Sequence, residues 1–197
     1  MLAPTVRRHI QQGLRAWLPL WALLWSLFLM PPAHAQGVEL ATLQASKSDG
    51  VLNLDFVARV TLPKAVEDAL LRGVPIYFVA EAQLYRNRWY WRDERVARVS
   101  RSWRVAFQPL TTSWRVSLAG FNQTFPSMAE ALAAVSRSGS WKVVELSQLD
   151  FDKSFYLEFN YRLDTTQLPG PMQFGLGGLG GQGDWAVGVS RTLRVEL

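Results

Sequence analysis

The sequence predicts a mainly β protein, an antiparallel β-sandwich of about eight or nine strands with two short helices. Three observations support this fold class. Apolar and polar residues alternate with period two through most of the chain after residue 35, short polar linkers separate the alternating segments, and two segments alone carry a helical pattern. Such alternation gives each strand one buried and one wet face, which is typical of antiparallel sheets. A partly open β-barrel is the alternative architecture.

The first 35 residues are predicted to form a secretory signal peptide. Three arginines come first, an apolar run covers residues 16–30, and a Pro-Pro pair is followed by the small-x-small pattern Ala33-His34-Ala35. This order of basic, apolar and small-residue regions is typical of a signal peptide, and we expect cleavage between Ala35 and Gln36. The apolar run has 15 residues, fewer than the roughly 18 that a membrane-spanning helix needs, and Pro19 disfavours a stable anchor. An uncleaved inner-membrane anchor is the alternative.

The remaining residues, 36–197, are predicted to form a single β-sandwich domain in the periplasm. Removing the first 35 residues leaves 162, with 18 Lys and Arg against 16 Asp and Glu, so the net charge falls from +5 to +2. The chain has no Cys, whereas an animal extracellular domain of this size more often carries disulfides. A nucleic-acid binder concentrates a stronger positive field, so no nucleic-acid partner is predicted.

No residue of this domain offers an imidazole or a thiol. Both histidines, His9 and His34, lie in the predicted signal peptide, and the chain contains no Cys. Ser-His-Asp and Cys-His nucleophilic sites are therefore excluded, as are zinc, copper and haem sites that depend on these ligands. We predict a protein that is not an enzyme, with no catalytic residue, no cofactor and no metal ligand.

Carboxylate chemistry is the enzymatic alternative that the composition leaves open. Asp150 and Asp152 would share one face of an extended segment, and Asp93 and Glu94 are adjacent. Two carboxylates are the machinery of most glycosidases, so the alternative function is an envelope enzyme acting on cell-wall glycan. Acidic residues at turns and strand ends are the more common explanation of both pairs.

In chain order, six alternating segments are predicted as strands. Their apolar faces comprise Leu52, Leu54, Phe56, Ala58 and Val60; Ile76, Phe78, Ala80, Ala82 and Leu84; Val99, Trp103, Val105 and Phe107; Trp114, Val116 and Leu118; Phe155, Leu157, Phe159, Tyr161 and Leu163; and Trp185, Val187, Val189, Leu193 and Val195. The linkers Asn87-Arg88 and 108–112 predict hairpins, and Ser-Asp-Gly at 48–50 predicts a further hairpin turn.

Two predicted helices interrupt the alternation. Residues 63–73 begin with Pro63 in the first helical turn and end at Gly73, both of which are favoured positions. Residues 127–137 begin with Ser127 and Glu130, which have the spacing of a capping box. The glycine-rich residues 175–184 lack the ending of a phosphate-binding loop and predict a flexible loop between strands.

The stretch RNRWYWRDERVARVSRSWRV at 86–105 contains seven arginines and three tryptophans. Arginines between aromatic rings are typical of single-stranded nucleic-acid grooves, but predicted export argues against that function. Strand periodicity places Arg98 and Arg104 on a solvated sheet face, opposite acids of a neighbouring strand. Arg101 falls on the apolar face instead, and we expect its side chain to reach past the sheet edge.

The first part of this stretch is the predicted binding site. Neighbouring strand residues point to opposite faces, so at least one aromatic ring should lie outside the core. Exposed Tyr or Trp flanked by Arg is typical of interface hot spots and of sugar- or anion-binding surfaces. The predicted binding residues are Arg86, Arg88, Trp89, Tyr90, Trp91, Arg92 and Arg95. The structural alternative is that both tryptophans cap the core while Arg92 stacks on Tyr90.

Five segments, in this order, resemble a known family. They are AVEDALLRGVPIYF (65–78), RWYWRDE (88–94), WRVAFQPLTTSWRVSL (103–118), FPSMAEALAAV (125–135) and LDTTQLPGPMQF (163–174). Together they make the chain similar to the proteobacterial domain-of-unknown-function family 4390, small exported proteins found mainly in beta-proteobacteria. The family has no established activity, so the resemblance implies export and a one-domain architecture, but no catalytic site. It also implies a link to membrane sensor kinases of the nitrogen-regulation type, which are often encoded beside its members.

The sequence thus predicts an exported periplasmic binding module of unknown ligand, an accessory to envelope signalling, that uses the Trp/Arg-rich hairpin at 86–95. Its expected partners are an envelope protein or cell-wall component, including a membrane sensor kinase. The segment LPGP at 168–171 and the glycine-rich loop are expected to frame the same or a second surface.

Overall fold

Two antiparallel sheets, of three and six strands, pack face to face in the computed structural model. The structure describes residues 37–90, 92–167 and 187–196. In these ranges the nine strands form no closed barrel, which confirms the predicted mainly β sandwich with two helices. Neither helix of the described part is long and apolar enough to cross a membrane.

The strands and helices follow one another with short connections. They are β1 (Gly37–Ser48), β2 (Val51–Thr61), α1 (Lys64–Leu71), β3 (Ile76–Arg86), β4 (Glu94–Gln108), β5 (Ser113–Leu118), β6 (Phe121–Phe125), α2 (Met128–Val135), β7 (Arg137–Glu145), β8 (Phe155–Leu163) and β9 (Gly188–Val195). Short 3-10 turns lie at Leu146–Gln148 and Thr165–Gln167. The small sheet has the order β1-β2-β7, and the large sheet has the order β6-β5-β4-β3-β8-β9.

Aromatic rings from both sheets meet in the core around Phe56 on β2. Its ring centroid lies 4.9 Å from that of Phe159 and 5.6 Å from that of Tyr161, both on β8 of the other sheet. Trp103 on β4 meets Phe56 edge-on at 6.2 Å. Each such ring removes a large apolar area from water, and tilted or edge-on contacts add to this stabilisation. The predicted apolar faces of β2, β3 and β8 are therefore the centre of the core.

Local sequence sets the turns and helix ends as predicted. Asp49 and Gly50 have positive φ values of 52° and 73° and join β1 to β2 in a two-residue hairpin, the backbone that an Asp-Gly pair favours. The helix α1 begins directly after Pro63. At the start of α2, the Glu130 backbone N–H donates to Ser127 Oγ at 3.2 Å, and the Ser127 hydroxyl donates to Glu130 Oε1 at 3.0 Å.

Several features differ from the sequence predictions. The connection between β3 and β4 spans residues 87–93 and is longer than the predicted Asn87-Arg88 hairpin. Arg101 does lie on the inner face of β4, but its guanidinium contacts β7 of the opposite sheet instead of reaching past the sheet edge. The alternation did not predict β1, β6 and β7. The predicted positions Trp91 and Trp185, the LPGP segment and the glycine-rich loop at 175–184 lie outside the described residues.

Candidate functional site

The connection between β3 and β4 carries two aromatic side chains into solvent. We call residues 87–93 the Trp89 loop. Trp89 is 92% exposed and Tyr90 is 70% exposed, with their ring centroids 5.1 Å apart in an edge-on contact. Trp103, Trp114 and Trp141, by contrast, are all buried. The sequence predicts at least one aromatic ring outside the core, and the structure places two there, Trp89 and Tyr90. Trp89 therefore does not cap the core, which the structural alternative required.

Ion pairs at the base of the Trp89 loop fix its two ends. Arg86 and Glu94 face each other at the last register position of the β3–β4 pair. The Glu94 carboxylate accepts hydrogen bonds from both Arg86 and Arg88, and Arg86 Nη1 lies 3.6 Å from Asp150 Oδ2. Two of the predicted binding residues, Arg86 and Arg88, therefore have partners within the protein itself.

Asp93 makes the second set of contacts that order the loop. One carboxylate oxygen accepts the Arg88 backbone N–H at 3.0 Å, and the other accepts the Tyr156 hydroxyl at 2.8 Å. The Asn87 backbone N–H donates to the Ser154 carbonyl at 3.0 Å. These contacts tie the loop to β8 and to the segment before it.

Hydrogen bonds shift the titration of these groups. The Arg88 backbone N–H, followed by the Tyr156 hydroxyl, holds the pKa of Asp93 below its usual range. The hydrogen bond from Arg86 is the main cause that lowers the pKa of Glu94. Burial, together with the nearby Asp93, raises the pKa of Tyr156 to about 12. At neutral pH both carboxylates are ionised and the phenol keeps its proton, so the loop contacts persist.

Arg92 and Arg95 are the remaining predicted cations of this region. Both side chains are exposed. Arg95 Nη1 donates to Gln83 Oε1 at 3.3 Å, and within the described ranges neither guanidinium forms an ion pair. The Trp89 loop thus presents two aromatic rings in a region with two positive charges that have no acidic partner among the described residues, while Trp91 lies outside those residues.

The two predicted carboxylate pairs do not form an acid–base site. Asp93 and Glu94 are both engaged by hydrogen-bond donors that lower their pKa, whereas a general acid needs a raised pKa. Asp150 faces Arg86, and Asp152 is exposed. Among the described residues no group of Asp and Glu is arranged to hold a metal ion.

A different pair of carboxylates lines a groove on the outer face of the large sheet. The groove has a volume of about 530 Å³ and is lined by β3, β8 and β9, with Glu81 and Glu158 among its residues. The Glu81 carboxylate is held by Arg98, at 2.9 and 3.1 Å, and accepts a hydrogen bond from Gln83. Sequence reasoning missed this pair because the pairing of β3 with β8 alone brings the two residues together. Arg98 does pair with an acid of the neighbouring strand, as predicted. Arg104, for which the same was expected, lies beside Tyr77 and Ser117 instead and forms no ion pair in the described part of the chain.

A family model described as Domain of unknown function (DUF4390) matches residues 35–193. The match covers most of the chain and confirms the resemblance that the five sequence segments indicated. No curated protein and no solved structure matches the chain.

Proposed function

Because the chain belongs to the DUF4390 family, which has no assigned activity, we propose a function from the surface of the protein itself. We propose that it is an exported binding module that captures an envelope partner through the Trp89 loop. In this proposal Trp89 and Tyr90 are the aromatic anchors, and Arg92 and Arg95 supply the charge. The protein works in the periplasm after its signal peptide is cleaved. It requires no cofactor.

The observation that carries this proposal is the 92% exposure of Trp89 on a loop whose base is fixed. Exposing an indole ring to water forgoes roughly 2–3 kcal/mol of burial free energy, which a partner recovers when it covers the ring. Tryptophan, tyrosine and arginine are also the residues enriched in interface hot spots. A loop already ordered by Glu94 and Asp93 loses less conformational entropy on binding than a free one.

The charge of the loop region indicates the chemistry of the partner. Arg92 and Arg95 have no acidic partner in the part of the chain that the structure describes, so they are available to carboxylates or phosphates of another molecule. Guanidinium groups bind such anions through paired N–H donors. The partner we propose is therefore an envelope protein with an acidic surface or an anionic cell-wall component. A membrane sensor kinase is the protein partner that the family resemblance adds.

Crosslinking in intact envelopes, followed by pull-down, tests the proposal. Trp89→Ala should abolish capture of the crosslinked partner, because the anchor ring is lost, while thermal stability stays unchanged. Leu110→Ala is the matched control, since Leu110 is a fully exposed apolar residue at the turn beyond the opposite end of β4. Equal capture by the wild type and Trp89→Ala would overturn the proposal.

The groove with Glu81 and Glu158 favours a second candidate function, the carboxylate-based enzyme acting on cell-wall glycan. Glu158 is exposed, and its strand position places it beside Gln83. In this candidate Glu158 is the reactive carboxylate, and polar groups of the groove such as Asn160 and Ser190 hold the sugar. The Asn160 Nδ2 group donates to Ser190 Oγ at 2.8 Å.

Release of reducing ends from purified peptidoglycan distinguishes the two candidates. The second candidate requires turnover that Glu158→Gln abolishes and that Glu67→Gln, a control on α1, leaves intact. Absence of turnover by the wild type at high enzyme concentration would eliminate it and leave the binding module.

A further inference from the structure

A second opening in the surface lies between the two sheets, next to the edge strand β6. Residues on β4, β5 and β6 line one side of this opening, and residues at the end of α2 and the start of β7 line the other. The resulting cleft has a volume of about 360 Å³. We call it the Arg101 cleft. The residues that line it include Arg101, Trp103, Val116, Leu118, Phe121 and Arg137.

One wall of the Arg101 cleft is apolar and runs from the core into solvent. Trp103 and Val116 are buried, Leu118 is half-buried, and Phe121 is 81% exposed. Leu118 and Phe121 are register partners on β5 and β6, so their side chains share the inner face of the sheet. An apolar sheet face that continues past its covering layer marks a surface for an apolar ligand.

Arg101 belongs to the same inner face of β4 as Trp103, but its guanidinium reaches across the cleft to β7 and has no carboxylate partner among the described residues. Arg101 lies 5.1 Å from the centroid of the Trp141 ring, and its Nη1 donates to Ser138 Oγ at 2.5 Å. Its pKa is lowered by burial, and no carboxylate of the described residues pairs with it. Arg86 and Arg98 have carboxylate partners in this protein. Arg101 is thus a partly buried cation without a carboxylate partner in the described chain; Arg104 shares this property but lies on the outer face of β4, away from the cleft.

The remaining donors of Arg101 point to a ligand with an anionic group. A guanidinium has five N–H donors, and it remains protonated in proteins even when burial lowers its pKa. In the described part of the chain no buried side-chain nitrogen or oxygen lacks a hydrogen-bond partner. Nε and Nη2 of Arg101, which form no hydrogen bond in that part of the chain, are therefore not fully buried, and the side chain lines the cleft. Arg137, which is exposed and also lines the cleft, adds a second positive charge.

We propose that the Arg101 cleft binds a fatty acid, with the carboxylate paired to Arg101 and the alkyl chain lying on Val116, Leu118 and Phe121. Small-molecule sites have volumes of roughly 300–1,000 Å³, and about 360 Å³ suits one slender chain rather than a helix of a partner protein. A bidentate guanidinium–carboxylate pair is the contact that an unpaired arginine favours. This site uses none of the Trp89 loop residues, so its test is independent of the proposed function.

Calorimetric titration of the purified protein with dodecanoate, below the concentration at which it forms micelles, tests the proposal. We expect saturable binding of dodecanoate, with dodecanol bound about 10- to 100-fold more weakly because it lacks the charge-assisted contact. Arg101→Gln should weaken dodecanoate binding by a similar factor. Arg115→Gln, which removes an exposed arginine from the other face of β5, should leave binding unchanged.

A second variant covers the case in which Arg101→Gln fails to fold. Phe121→Asp alters an exposed side chain and places a negative charge at the mouth of the cleft. It should strongly weaken dodecanoate binding, because the apolar ring at the mouth is lost and the added carboxylate repels the carboxylate of the ligand. A bromine-labelled dodecanoate should quench tryptophan emission through Trp103, which lines the cleft. Equal binding of dodecanoate and dodecanol would overturn the proposal, and so would undiminished dodecanoate binding by Phe121→Asp. A protein that binds an acidic peptide but does not bind dodecanoate would also overturn it.

Discussion

The Tyr156 hydroxyl donates a hydrogen bond to Asp93 across 2.8 Å, and this contact joins the Trp89 loop to β8. Tyr156 also stacks on Tyr85 of β3, with ring centroids 5.3 Å apart and an interplanar angle of 14°. The phenol therefore connects the loop to two neighbouring strands of the large sheet. Exposed aromatic rings at the loop tip are useful for recognition when such contacts hold the loop in one conformation.

Tyr156→Phe should loosen the Trp89 loop without unfolding the protein. The variant keeps the ring that stacks on Tyr85 and removes the hydroxyl that Asp93 accepts. We expect amide hydrogen exchange in residues 87–93 to accelerate several-fold, while Tm falls by no more than about 4 °C. Exchange measured by mass spectrometry checks this. Tyr77→Phe is the control, a half-buried tyrosine elsewhere on β3, and equal exchange in both variants would contradict the role of the hydroxyl.

The Trp89 loop should lose its order as the pH falls into the acidic range. The folded protein lowers the pKa of Asp93 and Glu94 from their ordinary values of 3.8 and 4.5. A carboxyl group with a lowered folded-state pKa stabilises the fold above its unfolded pKa, and this contribution is lost as pH falls through the folded value. The protection of the loop amides against hydrogen exchange should therefore be constant above about pH 5. It should decline below pH 4.5, which is the ordinary pKa of Glu94.

Hydrogen exchange and Trp emission, followed from pH 7 to pH 3, measure this decline. The double variant Asp93→Asn and Glu94→Gln should exchange faster at neutral pH and should show a flatter pH profile. A wild-type loop whose protection stays constant down to pH 3 would show that these carboxylates do not order it.

Replacing Arg92 and Arg95 by alanine should abolish partner capture and leave Tm nearly unchanged. Both side chains are exposed, and Arg95 has a single hydrogen bond to Gln83 at 3.3 Å. Surface substitutions of this kind usually change stability by less than about 0.5 kcal/mol. The double variant Arg72→Ala and Arg115→Ala removes two other exposed charges and is the control. A large fall in Tm would show that the two guanidinium groups are structural.

The strands that period-two alternation predicts are those with one face in the core. The expected inner residues of β3, from Ile76 to Leu84, are all buried. The strand β7 was missed because Ser140 has a φ of 48° and interrupts the alternation, with its N–H donating to Asp55 Oδ1 at 2.7 Å. Such a local irregularity depends on a residue of the neighbouring strand, which the sequence around β7 does not contain.

The candidate sites were predictable only where neighbouring residues in the chain are neighbours in space. The Trp89 loop is one continuous segment, so its aromatic rings were identified from the sequence. The groove of Glu81 and Glu158 and the Arg101 cleft combine strands distant in sequence. The expected path of Arg101 was wrong because its partner, Trp141, belongs to the opposite sheet.

Phe56→Ala should destabilise the protein by about 3–5 kcal/mol, the usual result of removing a buried aromatic ring and leaving a cavity. Phe56 contacts rings from both β4 and β8, so its loss affects the contact between the two sheets. Phe151→Ala is the control, because Phe151 is largely exposed and should change stability by less than about 0.5 kcal/mol. Chemical denaturation measures both values. A similar effect of the two variants would contradict the placement of Phe56 at the core centre.

Processing of the amino-terminal segment should yield a protein that begins at Gln36. Cleavage requires small residues before the cut, so replacing Ala33 and Ala35 by leucine should block it and retain the protein in the membrane fraction. Ala3→Leu, a control that precedes the apolar run, should be processed normally. Intact-mass measurement of the protein from periplasmic and membrane fractions distinguishes the outcomes. If the wild-type chain keeps residues 1–35 and sediments with the inner membrane, the segment is an anchor, and the Trp89 loop then acts from a tethered domain.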